Sequence, residues 1–370
     1  MNKTYVTLVS EQAVPNVQYI KEFAKEITTF LFVSTGKMEE KNKTKNIIEA
    51  CQLQENTYHV IRVDEESLTS ILSDLKIAIK HPVLENTEGY IVNCTLGTKV
   101  MSIALYEFFK NNPHALLLYS PINTNRYRSI LNNDINQLFS STLSVEEYIK
   151  SYGIKINSIG TPLFNSSTYT EIFFEKYMNF SGKQFTILSH LQLDSEQLYR
   201  KKGIKDFNLI DGLSNFLNEI DFTHKSKLAL TSSEVKYLTG GWFEEWVFYR
   251  IKSKLNKKDG EIVLGLNTLI DASNDLDVVF MHNNAIHIIE CKTAIPERSL
   301  QESTIYKSGA LVEKFGRNAF SYLFTLSDLS DGSGMLRPGV KDRAQQQKIL
   351  IADRNIINNK LEEFLNKHFI

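Results

Sequence analysis

The chain is expected to be an α/β protein in two parts, a mostly parallel, doubly wound sheet followed by a second α/β unit. Three observations point there. Near-continuous apolar strands alternate with amphipathic helices through the first third of the chain. At 370 residues the chain is too long for one ordinary core. In the last third, a strong helical pattern leads into two apolar runs that flank Asn283-Asn284.

The N-terminal elements read in order as follows. Tyr5–Val9 is an apolar strand and Val17–Lys25 an amphipathic helix. Phe30–Val33 is the next strand, followed by helical character through Ile47–Ala50. Tyr58–Val63 and Leu68–Ile79 form the next strand and helix. Tyr90–Asn93, a helix over Thr98–Phe109, and Ala115–Tyr119 complete the series. On such sheets ligands bind at the carboxyl ends of the strands. Asn123–Asn125 and Asn132–Asn133 read as turns, and Leu143–Tyr152 as a short helix ending at Gly153. The organisation is therefore a doubly wound α/β unit over 1–140, a connector with a small helical subdomain over 141–230, and a second α/β unit over 231–370.

Composition narrows the function. The chain is 42% hydrophobic and 23% charged, with a formal net charge of −1, so no global basic field attracts nucleic acid. No apolar run is long enough to span a bilayer, and the N-terminus lacks a signal-peptide pattern, so a cytoplasmic protein without membrane association is expected. Three widely spaced cysteines, Cys51, Cys94 and Cys291, argue against a disulfide framework and against a zinc cluster.

The segment from Asp275 to Lys292 carries the chemistry. Asparagines tolerate the positive φ of a two-residue turn, so Asn283-Asn284 closes a hairpin. That turn sets Asp277 across from Glu290 and Asp275 across from Lys292, while alternation puts Glu290 and Lys292 on the face of Ile286 and Ile288. Opposed carboxylates repel. Two of them on an apolar hairpin call for a compensating cation, which a hard divalent ion with oxygen ligands supplies, and Lys292 reaches a scissile phosphate or the attacking water. The competing reading is a solvated hairpin end. The D-x12-E-x-K spacing and the apolar run before Glu290 favour a site.

These residues resemble the PD-(D/E)xK nuclease superfamily, with Leu276-Asp277 where the name implies Pro-Asp. The resemblance implies that Asp277 and Glu290 hold Mn²⁺ or Mg²⁺ and that Lys292 assists the nucleophile. It also implies a further acid from a preceding Gly-x-x-Phe-Glu helix. Gly240-Gly241-Trp242-Phe243-Glu244 matches, making Glu244 the candidate; helical phase alone does not choose between Glu244 and Glu245. Downstream, Gln301–Phe315 is expected to be a helix packing on the site. Its Tyr306, Lys307 and Lys314 are read as a solvated face rather than as phosphate contacts, and His282 and His287 as turn and strand residues rather than ligands.

A second constellation lies upstream. Tyr90–Asn93 runs into Cys94-Thr95-Leu96-Gly97-Thr98-Lys99 and a helix, an arrangement whose free N–H groups and dipole attract phosphate; Thr98 as a plain N-cap explains much of the same pattern. No Walker A loop is present. Strand one ends in a polar turn, Ser10-Glu11-Gln12-Ala13-Val14-Pro15-Asn16, at the same carboxyl edge. The two loops resemble the CARF domain, the sensor of cyclic oligoadenylate in type III CRISPR–Cas systems. Asn93–Lys99 is similar to its Asn-x-Thr-Gly-Gly-Thr-Lys motif, with Leu96 replacing the first Gly.

The resemblance implies a Rossmann-like CARF domain joined to a restriction-endonuclease-like α/β domain. Ser10, Gln12, Asn16, Thr95, Gly97, Thr98 and Lys99 would contact the ligand. It further implies a homodimer that binds one cyclic tetra-adenylate and then cuts DNA or RNA non-specifically with Mn²⁺ or Mg²⁺ in antiviral defence. A CARF-linked transcription regulator would need a helix-turn-helix and a basic recognition helix, and the C-terminal half shows neither. Degradation of the cyclic ligand inside the sensor would need an acid/base pair that does not stand out.

Overall fold

A computed structural model describes residues 2–121, 124–132, 134–192, 198–270, 272–295 and 305–369. Two sheets organise them. The first has the order β3-β2-β1-β4-β5-β6-β7. Its strands β1 (Lys3–Leu8), β2 (Ile27–Ser34), β3 (Tyr58–Arg62), β4 (Gly89–Asn93) and β5 (Ala115–Tyr119) are parallel. Two short antiparallel strands, β6 (Arg126–Ser129) and β7 (Asn136–Leu138), extend one edge. Helices α1 (Val14–Glu22), α2 (Gly36–Glu40), α3 (Lys43–Cys51), α4 (Leu68–Ala78) and α5 (Lys99–Phe109) connect the parallel strands. The strand order reverses between β1 and β4, which opens a crevice at their carboxyl ends. Both polar loops picked out in the sequence leave from this point.

The second sheet has the order β13-β12-β11-β10-β9-β8. It comprises β8 (Lys155–Gly160), β9 (Ile262–Ile270), β10 (Ala272–His282), β11 (Ala285–Lys292), β12 (Ala319–Thr325) and β13 (Ile349–Ala352). Pairing is antiparallel from β8 to β11 and parallel from β11 to β13. The connector therefore supplies an edge strand to this sheet. Lys-Ile-Asn-Ser-Ile-Gly has too little apolar alternation to read as a strand, because on an edge most of its side chains face water.

Four helices follow β8: α7 (Ser167–Met178), α8 (Gly182–Gln192), α9 (Leu198–Lys202) and α10 (Leu213–Glu219). Next come α11 (Ser232–Lys236), a single π turn, and α12 (Trp242–Lys254). Phe173, Leu188, Phe216, Trp242 and Trp246 pack into one core with Ile289 and Cys291 of β11. The opposite face of the same strand, Ile286 and Ile288, packs with Tyr5, Tyr19 and Ile91 of the first sheet's layer. The predicted alternation of side chains along β11 is thus realised by two different cores.

A short helix, α6 (Val145–Ser151), is clamped in the shared core. Its capping box uses Ser144 and Glu147, and Lys21 of α1 pairs with Glu147 at 2.5 Å. The hairpin turn is held from the same side: the Asn284 side chain accepts the Leu143 N–H at 2.8 Å and donates to Asn125 at 2.9 Å. The N-terminal unit and the Asn283-Asn284 hairpin are therefore in direct contact.

Candidate functional site

The turn geometry expected from sequence is present: Asn283 and Asn284 lie at φ +49° and +57°. The β10–β11 ladder runs from His282↔Ala285 to Val278↔Ile289, the register that points Asp277 towards Glu290. At the open end of this ladder the Asp277 carboxylate accepts the Cys291 N–H at 2.7 Å. Lys292 Nζ lies 2.6 Å from Glu290 and 3.6 Å from Asp277, so one ammonium bridges the two acids. Asp275, expected across from Lys292, instead pairs with Asn267 of β9 and accepts its side-chain N–H at 2.5 Å. The strand is long enough to be held by β9 beyond the point where it leaves β11.

Electrostatics mark the cluster. Burial, reinforced by Glu244 and Glu290, pushes the Asp277 carboxyl well above its usual range. Burial likewise raises Glu244, with Lys292 opposing and Glu290 adding to the shift. Burial opposes the charge on Lys292, but Asp277 and Glu290 outweigh it and hold the ammonium above its ordinary value.

Packing gives Glu244 and Glu245 different surroundings. Glu245 is buried, and its carboxylate accepts the N–H groups of Leu163 and Phe164 at 2.6 and 3.3 Å and the Thr170 hydroxyl at 3.1 Å. It anchors the segment leading into α7. Glu244 is the one within electrostatic reach of Lys292 and Glu290. Arg200, on α9, acts on Glu244 from another side; nothing in the local sequence signalled its place here.

The acid cluster matches the chemistry of a hard divalent cation: oxygen donors, like charges crowded at low exposure, and the Cys291 carbonyl 3.3 Å from Lys292 Nζ. As arranged, Lys292 fills the space between the acids. Among the described residues no three His, Cys, Asp or Glu side chains stand close enough to cage an ion. His287 is buried, contacts the Tyr322 hydroxyl at 2.9 Å and is pushed down to about 3 by burial, in keeping with its reading as a strand residue. The downstream helix runs Ile305–Glu313, and Tyr306 is exposed. Residues 301–304 and the Lys307 side chain lie outside the described residues.

A cavity of about 190 Å³ opens at the β1/β4 reversal. Ser10, Gln12, Thr95 and Gly97 line it; Asn16, Thr98 and Lys99 do not. Asn16 is fully buried, receiving hydrogen bonds from Tyr5, Thr7 and Asn93 and donating to the Leu8 carbonyl, so it ties the first loop to β4. Thr98 caps α5 through the Met101 N–H at 3.2 Å, and Lys99 points into solvent. Gly97 takes φ +78°, and a Cβ there would lie 2.8 Å from Leu8 Cδ1. Leu96 turns into the core beside Leu8 and Val63, which explains how it stands where the CARF motif has Gly. Among the lining residues that sequence reading did not select, Tyr152, Arg317 and Asn318 come from beyond the first sheet.

Comparison with known proteins agrees with this division. The model of the Card1 CARF domain matches residues 4–148, and the model of the Card1-like endonuclease domain matches residues 231–368. The chain joins a Card1-type CARF domain to a Card1-like endonuclease domain. Among solved structures, Can2 from Sulfobacillus thermosulfidooxidans in complex with cyclic tetra-adenylate is 21% identical. It aligns over 99% of this chain and 100% of that one at a TM-score of 0.69. VC1899 from Vibrio cholerae is 15% identical over 99% and 98%, with a TM-score of 0.74. A type III CRISPR defence DNA nuclease activated by cyclic oligoadenylate is 15% identical over 94% of this chain and 52% of that one, with a TM-score of 0.59. No curated protein sequence matches. Most of the cavity lining thus lies in the segment matched by the CARF domain, and the acid–lysine cluster lies in the segment matched by the endonuclease domain. No described helix is long and apolar enough to cross a membrane.

Proposed function

We propose that this CARF endonuclease is a homodimer that a cyclic oligoadenylate, cyclic tetra-adenylate foremost, switches on to cut DNA or RNA in CRISPR antiviral defence. The observation that carries the reading is the Lys292 ammonium held between Asp277 and Glu290, on a chain whose CARF domain opens a polar cavity at its strand-order reversal. The cyclic tetra-adenylate bound in the Can2 structure supports that choice of activator. The cavity is smaller than the ~300–1,000 Å³ that encloses a drug-sized molecule, which fits one protomer holding part of a ring shared with a second.

Asp277 and Glu290 would hold Mn²⁺ or Mg²⁺, which would supply Lewis-acid polarisation of the phosphate and a more acidic water, with Glu244 acting on the pair through its nearby charge. Asp277 and Glu290 hold the Lys292 ammonium above its ordinary value, and it would offer a positive charge to the phosphate oxygens or to the attacking water. Asp277 is oriented by the Cys291 N–H, which keeps one oxygen engaged and leaves the other for a cation. In the sensor, Ser10, Gln12, Thr95 and Gly97 offer hydroxyl, amide and backbone contacts.

The test is a cleavage panel with purified protein, Mn²⁺, and labelled single- and double-stranded DNA and RNA. It is run with and without cyclic tri-, tetra- and hexa-adenylate. Cleavage that depends on one ring size, is abolished in Glu290→Ala and leaves ligand binding intact in that variant is the expected result. Equal cleavage with and without every ring refutes the gating.

A further inference from the structure

The wall of the sensor cavity is not built by the CARF domain alone. Arg317 and Asn318 belong to the segment matched by the endonuclease domain, yet both line the cavity. Gln12, from the first sensor loop, joins the two parts: its side-chain oxygen accepts the Tyr152 hydroxyl at 3.1 Å and the Arg317 N–H at 3.3 Å. Behind this contact the Tyr148 hydroxyl donates to the carbonyls of Phe315 at 2.8 Å and Asn318 at 3.3 Å. The segment presses so closely on the connector that a Cβ at Gly316, which has φ +90°, would lie 2.0 Å from the Tyr152 hydroxyl oxygen. The position is therefore held from three directions.

Charge distinguishes Arg317 from the rest of the wall. Among the described residues that line the cavity it is the one charged side chain; the CARF contribution is hydroxyl, amide and apolar. Lys99, the cation expected from the sequence, lies outside the lining. A phosphodiester ligand carries a negative charge at each nucleotide, and a guanidinium fork matches phosphate oxygens in a bidentate way. The Arg317 side chain is exposed, so it can turn to a ligand without leaving a buried group behind.

The chain then runs directly towards the catalytic cluster. One residue after Asn318, β12 begins, with Ala319 paired to Ile286, Leu323 to Glu290 and Thr325 to Lys292. At about 3.3 Å per residue, a single strand of roughly 20 Å spans from the cavity wall to the register of the acid and the lysine. We infer that Arg317 of the endonuclease domain binds a phosphate of the activator inside the sensor cavity and so couples the ligand to the β11–β12 pair bearing Glu290 and Lys292. This rests on the reading of the cavity as the cyclic oligoadenylate site.

The experiment uses the full chain with Arg317→Ala and Arg317→Lys. It measures labelled cyclic tetra-adenylate binding together with ligand-dependent cleavage, and thermal midpoints verify folding. Arg317→Ala is expected to weaken binding at least about tenfold, the scale of a lost charge-assisted contact, and to lower cleavage even at saturating ligand. Arg317→Lys, which keeps the charge but loses the fork, is expected to recover part of the binding. If the wild type binds the ligand and Arg317→Ala matches it in affinity and cleavage, the inference is overturned while the cavity reading stands. If the wild type binds no cyclic oligoadenylate, the cavity reading fails and the inference with it.

Discussion

Substituting alanine separately at Glu244 and Glu245 tests the proposal that the first is a catalytic carboxylate and the second, one residue away, a structural one. Glu245 is 2% exposed and is the acceptor for two backbone N–H groups and one buried hydroxyl. Glu245→Ala strands all three. A buried donor left without its partner costs about 1–3 kcal/mol, and the two amides are only part-buried, so the total is about 3–5 kcal/mol. For a folding unit of 150–250 residues that lowers the thermal midpoint by roughly 6–20 °C. Glu244→Ala removes a carboxylate that burial and Glu290 already disfavour in its charged form, so stability stays level or rises slightly. Cleavage, in contrast, should fall about a hundredfold or more, the usual loss when an electrostatic group of an active site is removed. Thermal unfolding and activated cleavage, measured on both variants and the wild type, provide the test. A Glu245→Ala protein with a wild-type midpoint and no cleavage, beside a fully active Glu244→Ala, would refute the assignment.

Other outcomes follow from the same geometry. Gly97→Ala places a side chain at φ +78° and 2.8 Å from Leu8, which should cost about 1–2 kcal/mol and weaken activator binding; a thermal melt and a ligand titration check both. His287 has its folded-state pKa pushed down to about 3 by burial, against about 6.5 in an unfolded chain, so the unfolded state takes up a proton first as pH falls. Its contribution to stability is therefore complete above about pH 6.5 and is lost progressively towards pH 3, amounting to about 1.4 kcal/mol lost by pH 5.5. His287→Phe keeps the stacking between Phe280 and Phe320 and should flatten the pH dependence of urea unfolding between pH 7.5 and 5.5 by that amount; an unchanged slope counts against it. Lys292→Gln removes the ammonium that bridges Asp277 and Glu290 and should abolish cleavage while leaving ligand affinity unaltered, measured by the same binding assay.

Local chemistry made much of this protein legible. The alternation of apolar strands and helices announces the first sheet, because its central strands β1, β2 and β4 are buried on both faces beneath the helices. The Asn283-Asn284 turn was readable because few residues accept two successive positive φ values, and once the turn is known the register places Asp277 near Glu290 by geometry alone. Thr98 and Asn16 show the limit of the same method. Both have the residue type of a ligand contact, yet one is consumed by capping α5 and the other by a buried network, and sequence does not tell an occupied hydroxyl or amide from a vacant one.

What stayed hidden depends on long-range packing. Glu245 is distinguished from Glu244 only by the arrival of Leu163, Phe164 and Thr170, some 80 residues upstream. Tyr152 and Arg317 reach the sensor cavity only because α6 is clamped between the two sheets, with Tyr148 holding the Phe315–Asn318 segment against Gln12. A sequence-level division into sensor, connector and nuclease therefore separates residues that the fold joins. The connector strand β8 hydrogen-bonds to β9, the hairpin turn is held by Leu143 and Asn125, and β12 begins one residue past the cavity wall. Each of these contacts ties the sensor side to the sheet that carries Asp277, Glu290 and Lys292. A ligand that moves the cavity wall must shift β12 or break its register with β11, and packed sheets yield to such a load by small rigid displacements rather than by bending within one strand.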